Sequence, residues 1–310
     1  MAGIQSSTAP SAFAGARSRP WWRELWRYRQ EYLFIAPFFI IFGCFHLFPL
    51  GWALFLSFNR WSGFGPMQFV GLDNYRAVLA EQQVRLALLN TLIFTAVLVP
   101  TGVLLSLAFA NLLNIRDLAW RGLFRTIYFL PFVTSTVIVA IVFQMVFDNS
   151  YGWANDILHT AGIPPVKWLS SPVWAKVVIV LLAHWQGLGY NILIMLGGLQ
   201  SIEREIYDAA EIDGASKGRL FWSITVPLMR PVMLFVTIVG TIGVLNMFIQ
   251  PYILTSGGPQ NATLTMTLRL YQLAFASTRY GDGAALGFVI GALVVVVTML
   301  QLRFLRAWRQ

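Results

Sequence analysis

Six long apolar segments divide this 310-residue chain and restrict it to one kind of environment. They lie near residues 32–58, 88–113, 123–147, 173–199, 232–254 and 285–305. A helix needs about 20 residues to cross the hydrocarbon core of a bilayer, and each segment reaches that length. Lipid offers no hydrogen-bond partners, so a spanning backbone must satisfy its own. The segments are therefore predicted to be helices, and the chain to be an all-α polytopic membrane protein with six transmembrane helices. Charged residues make up 11% of the chain, against about 25% in a soluble domain. That is too little to cover a surface in water.

The first apolar segment begins only at residue 32, is too long for a signal sequence, and is followed by no small-residue cleavage site. It reads as a retained span. The leader 1–20 is rich in Ala, Ser and Gly without an apolar period, which predicts a disordered tail. Residues 21–31 (WWRELWRYRQE) interleave Trp and Arg, as suits a helix at the cytoplasmic interface. The expected division is thus a tail, 1–31, and a membrane domain, 32–310.

Lys and Arg set the orientation. An even number of spans puts both termini on one side. With that side cytoplasmic, the inner set is Arg17, Arg19, Arg23, Arg27 and Arg29, then Arg116, Arg121 and Arg125, then Arg204, Lys217, Arg219 and Arg230, and finally Arg303, Arg306 and Arg309. Fifteen of the 22 basic residues are then inside and seven outside, which predicts an N-in, C-in topology. Span ends beside anionic lipid also account for the net charge of +9, with no nucleic-acid partner required.

Several chemistries find no residues to carry them. No Asp or Glu falls well inside a predicted span, which argues against a proton- or sodium-coupled carrier. His46 and His184 are read as packing residues, and Cys44, the one cysteine, as a packed small hydrophobe. Lys167, Lys176 and Lys217 precede Trp, Val and Gly, so no lysine ends a phosphate-cradling loop. No Cys, His and Asp cluster has metal-ligand or catalytic spacing, and no enzymatic activity is expected. What the spans do carry is uncharged polarity: Trp185, Gln186, Tyr190 and Asn191 in the fourth, Asn246 and Gln250 in the fifth. Such groups are costly against lipid. They serve either interhelical hydrogen bonds or a polar cavity for a hydroxylated solute.

The connection between the fourth and fifth spans holds a charged stretch, YDAAEIDGASKGRLFWSITVPLMRP, residues 207–231. Ile202, Ile206, Ala209 and Ala210 recur at helical spacing among Glu203, Arg204, Asp208 and Glu211, which predicts an amphipathic helix with a narrow apolar stripe. Gly214 is placed to end it in a left-handed conformation. Ser216 is placed to cap a second helix running to Val226, with Pro227 and Pro231 closing the unit before the fifth span. Helix, glycine turn, helix on the cytoplasmic face is a form that fits another protein's groove.

This stretch resembles the EAA loop of ABC importer permeases. Asp208, Ala209 and Ala210, then Asp213 and Gly214, then Ile224, Val226 and Pro227 stand in register with the family pattern. Asp208 replaces its leading Glu and Val226 its Leu. The segment YILTSGGPQNATLT (252–265) is similar to the outer-end signature of carbohydrate-uptake permeases, and HWQGLGYNILIMLGGLQSI (184–202) to a stretch of maltose-type permeases. FVGLDNY (69–75) and YGDGAALG (280–287) are also usual there.

The resemblance implies a type I ABC importer permease fold in a bacterial-type cytoplasmic membrane. It also implies partners: a second permease subunit, two ATPase subunits that bind ATP and Mg, an extracytoplasmic sugar-binding protein and membrane lipid. This chain itself would hold no cofactor. The loop would couple ATPase closure to alternating access. By position, the carbohydrate would meet Gln186, Gly187, Tyr190 and Asn191 in the fourth span and Val244, Asn246, Met247 and Gln250 in the fifth. A polyol, glycerophosphodiester or amino acid remains the alternative cargo.

Overall fold

The structure is a computed structural model, and it describes residues 28–115 and 120–307. The leader, the Trp/Arg segment up to residue 27, and Arg116 and Arg309 lie outside the described residues. The chain divides into two compact units, residues 1–53 and 54–310. In the first, the described residues form most of helix α1 (Arg29–Ser57), which carries a π turn at Gly43–Leu47. The His46 ring stacks on Phe42, one turn away on the same helix, at 5.3 Å. Cys44 is exposed on this helix rather than packed, because no described side chain of the helix covers it.

The second unit begins with a short antiparallel ribbon, β1 (Asn59–Arg60) and β2 (Gln68–Phe69), paired Asn59 to Phe69. Helix α2 (Asp73–Ala80) holds the ribbon through buried Asn74, whose amide donates to the carbonyls of Ser57 and Asn59 at 2.9 Å each. Then follow α3 (Gln82–Leu113), α4 (Arg121–Val133), α5 (Thr136–Val146), α6 (Trp153–Thr160), α7 (Pro172–Gln200) and α8 (Arg204–Ile212). The chain continues through α9 (Lys217–Leu245), α10 (Ile249–Thr255), α11 (Met266–Tyr271) and α12 (Tyr280–Ala307).

Among the described residues five helices are long and apolar enough to cross a membrane, and the bent pair α4 and α5 makes a sixth if the two are counted as one span. The expected third span is thus not one straight helix but two, turned by 95°. Pro131 removes a backbone donor just before the break, and the hydroxyl of Thr134 donates to the Pro131 carbonyl at 2.6 Å, closing α4 locally. Buried Gln186 of α7 spans the corner, its amide donating to Thr134 O at 3.2 Å and to Thr136 Oγ1 at 2.9 Å.

The fifth span also differs from expectation. Pro227 and Pro231 do not close a separate unit; the helix runs on from Lys217 to Leu245. A π turn at Phe221–Thr225 precedes the prolines, and there Val226 N–H donates to Phe221 O, five residues back. The wider turn gives the Pro227 ring room, and Pro231 then costs one helical bond. The span stops instead at Asn246–Phe248, and α10 restarts at Ile249.

Helices α3, α7 and α9 pack around Val103, Leu107, Ile192, Met195, Leu196, Met229 and Val236. A second cluster joins α2, α3, α11 and α12 through Val78, Val84, Leu264, Met266, Leu268 and Leu286. The approach of α4 to α7 requires Gly189, where any β-carbon would collide with the Tyr128 carbonyl.

Candidate functional site

Where α3, α7 and α9 diverge they leave a cavity of about 260 Å³. Its walls are Leu98, Val99 and Gly102 from α3, His184, Gly187 and Asn191 from α7, Gly240, Gly243 and Val244 from α9, and Met247 and Gln250 at the break beyond it. A methyl group added at Gly187, Gly240 or Gly243 would meet nothing within 4 Å, so these positions present bare backbone to open space. His184 Nε2 lies 2.8 Å from Thr101 Oγ1. The Thr101 hydroxyl donates to Val97 O at 2.5 Å, so His184 donates its Nε2–H to Thr101. The ring is thereby oriented by α3. No Asp, Glu, Lys or Arg lines this cavity. Its polar groups are amides, an imidazole and backbone, which suit an uncharged hydroxylated molecule.

At the other end of α7 lies α8. It closes on Gly214 at φ +78°, with Gly214 N–H donating to Glu211 O and Ala215 N–H to Ala210 O, both at 3.0 Å. This is a Schellman turn, and it satisfies carbonyls that the helix end leaves free. Ser216 caps α9 through its hydroxyl, which accepts from Arg219 N–H at 3.4 Å. Tyr207, Asp208 and Glu211 line a cleft of about 620 Å³ with Asn111, Gln200 and Thr225. Ile206 and Ala209 fall on the opposite face of the helix and are exposed. Nearby Ile212 and Trp222 are 87% and 68% exposed. An apolar face that no described residue covers is the surface expected of a docking helix.

The sequence from residue 99 to 310 matches the family of binding-protein-dependent transport system inner membrane components. The chain belongs to this family. Curated relatives agree over nearly its whole length. It is 39% identical over 276 residues to the lactose transport system permease LacF of Rhizobium radiobacter, covering 87% of this chain and 92% of that one. Identity is 37% over 290 residues with the arabinooligosaccharides permease AraP of Bacillus subtilis, covering 91% of each. With the trehalose/maltose permease MalF of Thermococcus litoralis it is 36% over 281 residues, covering 89% and 95%. A crystal structure of a bacterial ABC transporter involved in importing alginate has the same fold, with a TM-score of 0.81 at 22% identity over 93% of this chain and 98% of that one. The chain is therefore a multi-pass inner-membrane permease subunit, not an enzyme.

Within this permease the residues expected along the solute path divide into two sets. Gly187, Asn191, Val244, Met247 and Gln250 meet in the cavity. Gln186, Tyr190 and Asn246 do not line it. Gln186 bridges the α4–α5 corner. Tyr190 stacks on Phe132 with ring centroids 4.8 Å apart. Asn246 donates to Ile242 O at 2.8 Å and ends α9. Of the loop residues, Asp208, Ala209, Asp213 and Gly214 are exposed, and Ala210, Ile224 and Pro227 half-buried. Sequence reasoning did not single out the cavity glycines 102, 240 and 243, Thr101, or Thr225, whose contact to Tyr207 joins α8 to α9. The helical spacing of Gly240 and Gly243 was the available signal for the glycine wall. No comparable signal marked Thr225.

Proposed function

We propose that this permease translocates a sugar or short oligosaccharide as one membrane subunit of an ATP-driven importer. The observation that carries this reading is the cavity between α3, α7 and α9: bare glycine backbone, the amides of Asn191 and Gln250, and no charged side chain. Side-chain amides exchange hydrogen bonds with sugar hydroxyls, and an uncharged wall does not select an ionised cargo. Relatives named for lactose, arabinooligosaccharide and trehalose/maltose transport support the same class.

In this reading a second permease subunit completes the pathway, and a binding protein delivers the sugar at the outer face. Two ATPase subunits bind ATP and Mg. Helix α8 docks in one of them with Asp208, Ala209, Ala210, Asp213 and Gly214 at or beside the contact, while Ile224 and Pro227 sit in the base of α9. ATPase closure then tilts the spans and exposes the cavity to alternate sides. The free energy comes from the different affinity of ATP for the two states. Residues 1–31 form a cytoplasmic tail and 32–310 the translocating domain.

The test is uptake by the reconstituted importer with its binding protein, using lactose, trehalose, maltose and arabinooligosaccharides in turn. A neutral sugar is expected to enter only with ATP inside the vesicle, unaffected by collapse of the pH gradient. Gradient-driven uptake without ATPase subunits would overturn the mechanism. Uptake of a glycerophosphodiester or amino acid in place of any sugar would overturn the cargo.

A further inference from the structure

Helix α9 and α10 are separated by a break that faces the cavity, because Val244, Met247 and Gln250 all line it. A break of this kind frees backbone carbonyls inside the membrane region, where each needs a partner. Met247 is the acute case. The residue four positions on is Pro251, which has no N–H to offer. Its carbonyl is instead taken by the hydroxyl of Thr265 at 2.8 Å. Thr265 is fully buried and also caps α11, accepting from Leu268 N–H at 3.4 Å.

Thr265 is held in turn from α3. Met266 N–H donates to Thr91 Oγ1 at 3.0 Å, and the Thr91 hydroxyl donates to Ala87 O at 2.8 Å. One residue earlier, the Asn90 amide donates to Asn261 O at 2.8 Å and Leu264 O at 3.0 Å. Asn90 and Thr91 are buried. None of Asn90, Thr91 and Thr265 lines the cavity. A polar chain therefore runs from α3 through the 261–266 segment to the backbone of the cavity wall.

We infer that Asn90, Thr91 and Thr265 are positioning residues: through the Met247 carbonyl they set where Met247 and Gln250 stand, and so set the affinity of the cavity for its solute. The inference rests on the solute-pathway reading above only in its last step. The polar chain fixes the wall whether or not the wall meets sugar.

Two readouts separate these steps. In the first, the native cysteine is removed (C44S), Gln250→Cys is introduced, and the full chain in membrane vesicles is labelled with a water-soluble maleimide. Thr265→Val keeps the side-chain shape and removes the donor, and is expected to change the labelling rate at position 250 several-fold. Thr265→Ser restores the donor and is expected to restore the rate. In the second, the complete importer carrying native Gln250 is assayed for lactose, trehalose and maltose uptake. T265V is expected to raise KM about 5- to 10-fold with little change in maximal rate, as fits loss of one buried hydrogen bond, and T265S to stay near the parent value. An unchanged labelling rate in T265V, or equal rates in T265V and T265S that both differ from the parent, overturns the inference. A changed rate with unchanged KM leaves the positioning chain standing and overturns the solute-pathway reading. If T265V does not reach the membrane, Thr91→Val at the far end of the chain is compared with Thr91→Ser by the same readouts.

Discussion

The Tyr207 hydroxyl lies 3.0 Å from Thr225 Oγ1, joining the surface helix α8 to the π turn of α9. Thr225 is buried and its hydroxyl donates to Leu220 O at 3.3 Å, so Tyr207 is the donor in the pair. The bond ties the exposed helix α8 to the base of a membrane-crossing one. Tyr207→Phe keeps the ring and removes the bond, at a stability cost of about 1 kcal/mol. The expected outcome is normal retention of the ATPase subunits in a pull-down with sugar-stimulated ATP hydrolysis reduced several-fold. Unchanged stimulation would show that movement passes between the helices without this contact.

Gly214 holds φ at +78° in the turn that ends α8. Nothing within 4 Å would obstruct a β-carbon there, so the cost of Gly214→Leu arises in the backbone, roughly 1–2 kcal/mol. The larger effect is expected at the docking surface, because a leucine would stand out beside Ala209 and Asp213. Uptake should be lost and ATPase retention weakened. Normal values of both would remove Gly214 from the contact.

Gly240 faces open space in the cavity. Gly240→Leu should fold, since leucine is the better helix former by about 0.8 kcal/mol and its β-carbon would meet no neighbour within 4 Å. It should nonetheless reduce sugar uptake tenfold or more by occupying the path. Thermal unfolding in detergent together with transport rate separates the two effects. Full transport with a filled cavity would move the solute path elsewhere.

Gln186 is expected to affect stability rather than solute. Gln186→Leu leaves the Thr134 carbonyl and Thr136 hydroxyl at the α4–α5 corner without their donor, which costs roughly 1–3 kcal/mol. A lower unfolding temperature with KM near the parent value is the expected pair of results. A raised KM at unchanged unfolding temperature would return Gln186 to the solute path.

Local and periodic features were legible in the sequence. Apolar length located the long helices except the fifth span, which starts at Lys217 rather than near residue 232, and local rules placed the left-handed residue at Gly214 and the cap at Ser216. Five of the eight residues expected along the solute path line one cavity because they share faces of α7 and α9 or follow the break after α9. What failed to show was what depends on a partner far along the chain and, at Asn246, on where a helix ends. Tyr190, Gln186 and Asn246 look alike as polar residues in apolar segments. Their fates were decided by Phe132, by Thr134 and Thr136, and by the end of α9. Pro227 and Pro231 read as a boundary because local rules make proline a helix breaker, and the π turn that accommodates them has no sequence rule of comparable strength. The bonds from Asn90 cross 171 and 174 positions, beyond any pattern in one strand of text.

The continuity of α9 through both prolines has a mechanical consequence. Its 29 residues make a rod about 44 Å long at ~1.5 Å per residue. Tyr207 contacts it at Thr225, and Val244, about 28 Å further along, lines the cavity. In the proposed coupling a tilt of about 5° at Thr225 would displace Val244 by roughly 2.5 Å. A hinge at Pro227 would have absorbed that angle on the inner side of the bilayer. A helix continuous through that point would pass the angle on to the wall of the cavity.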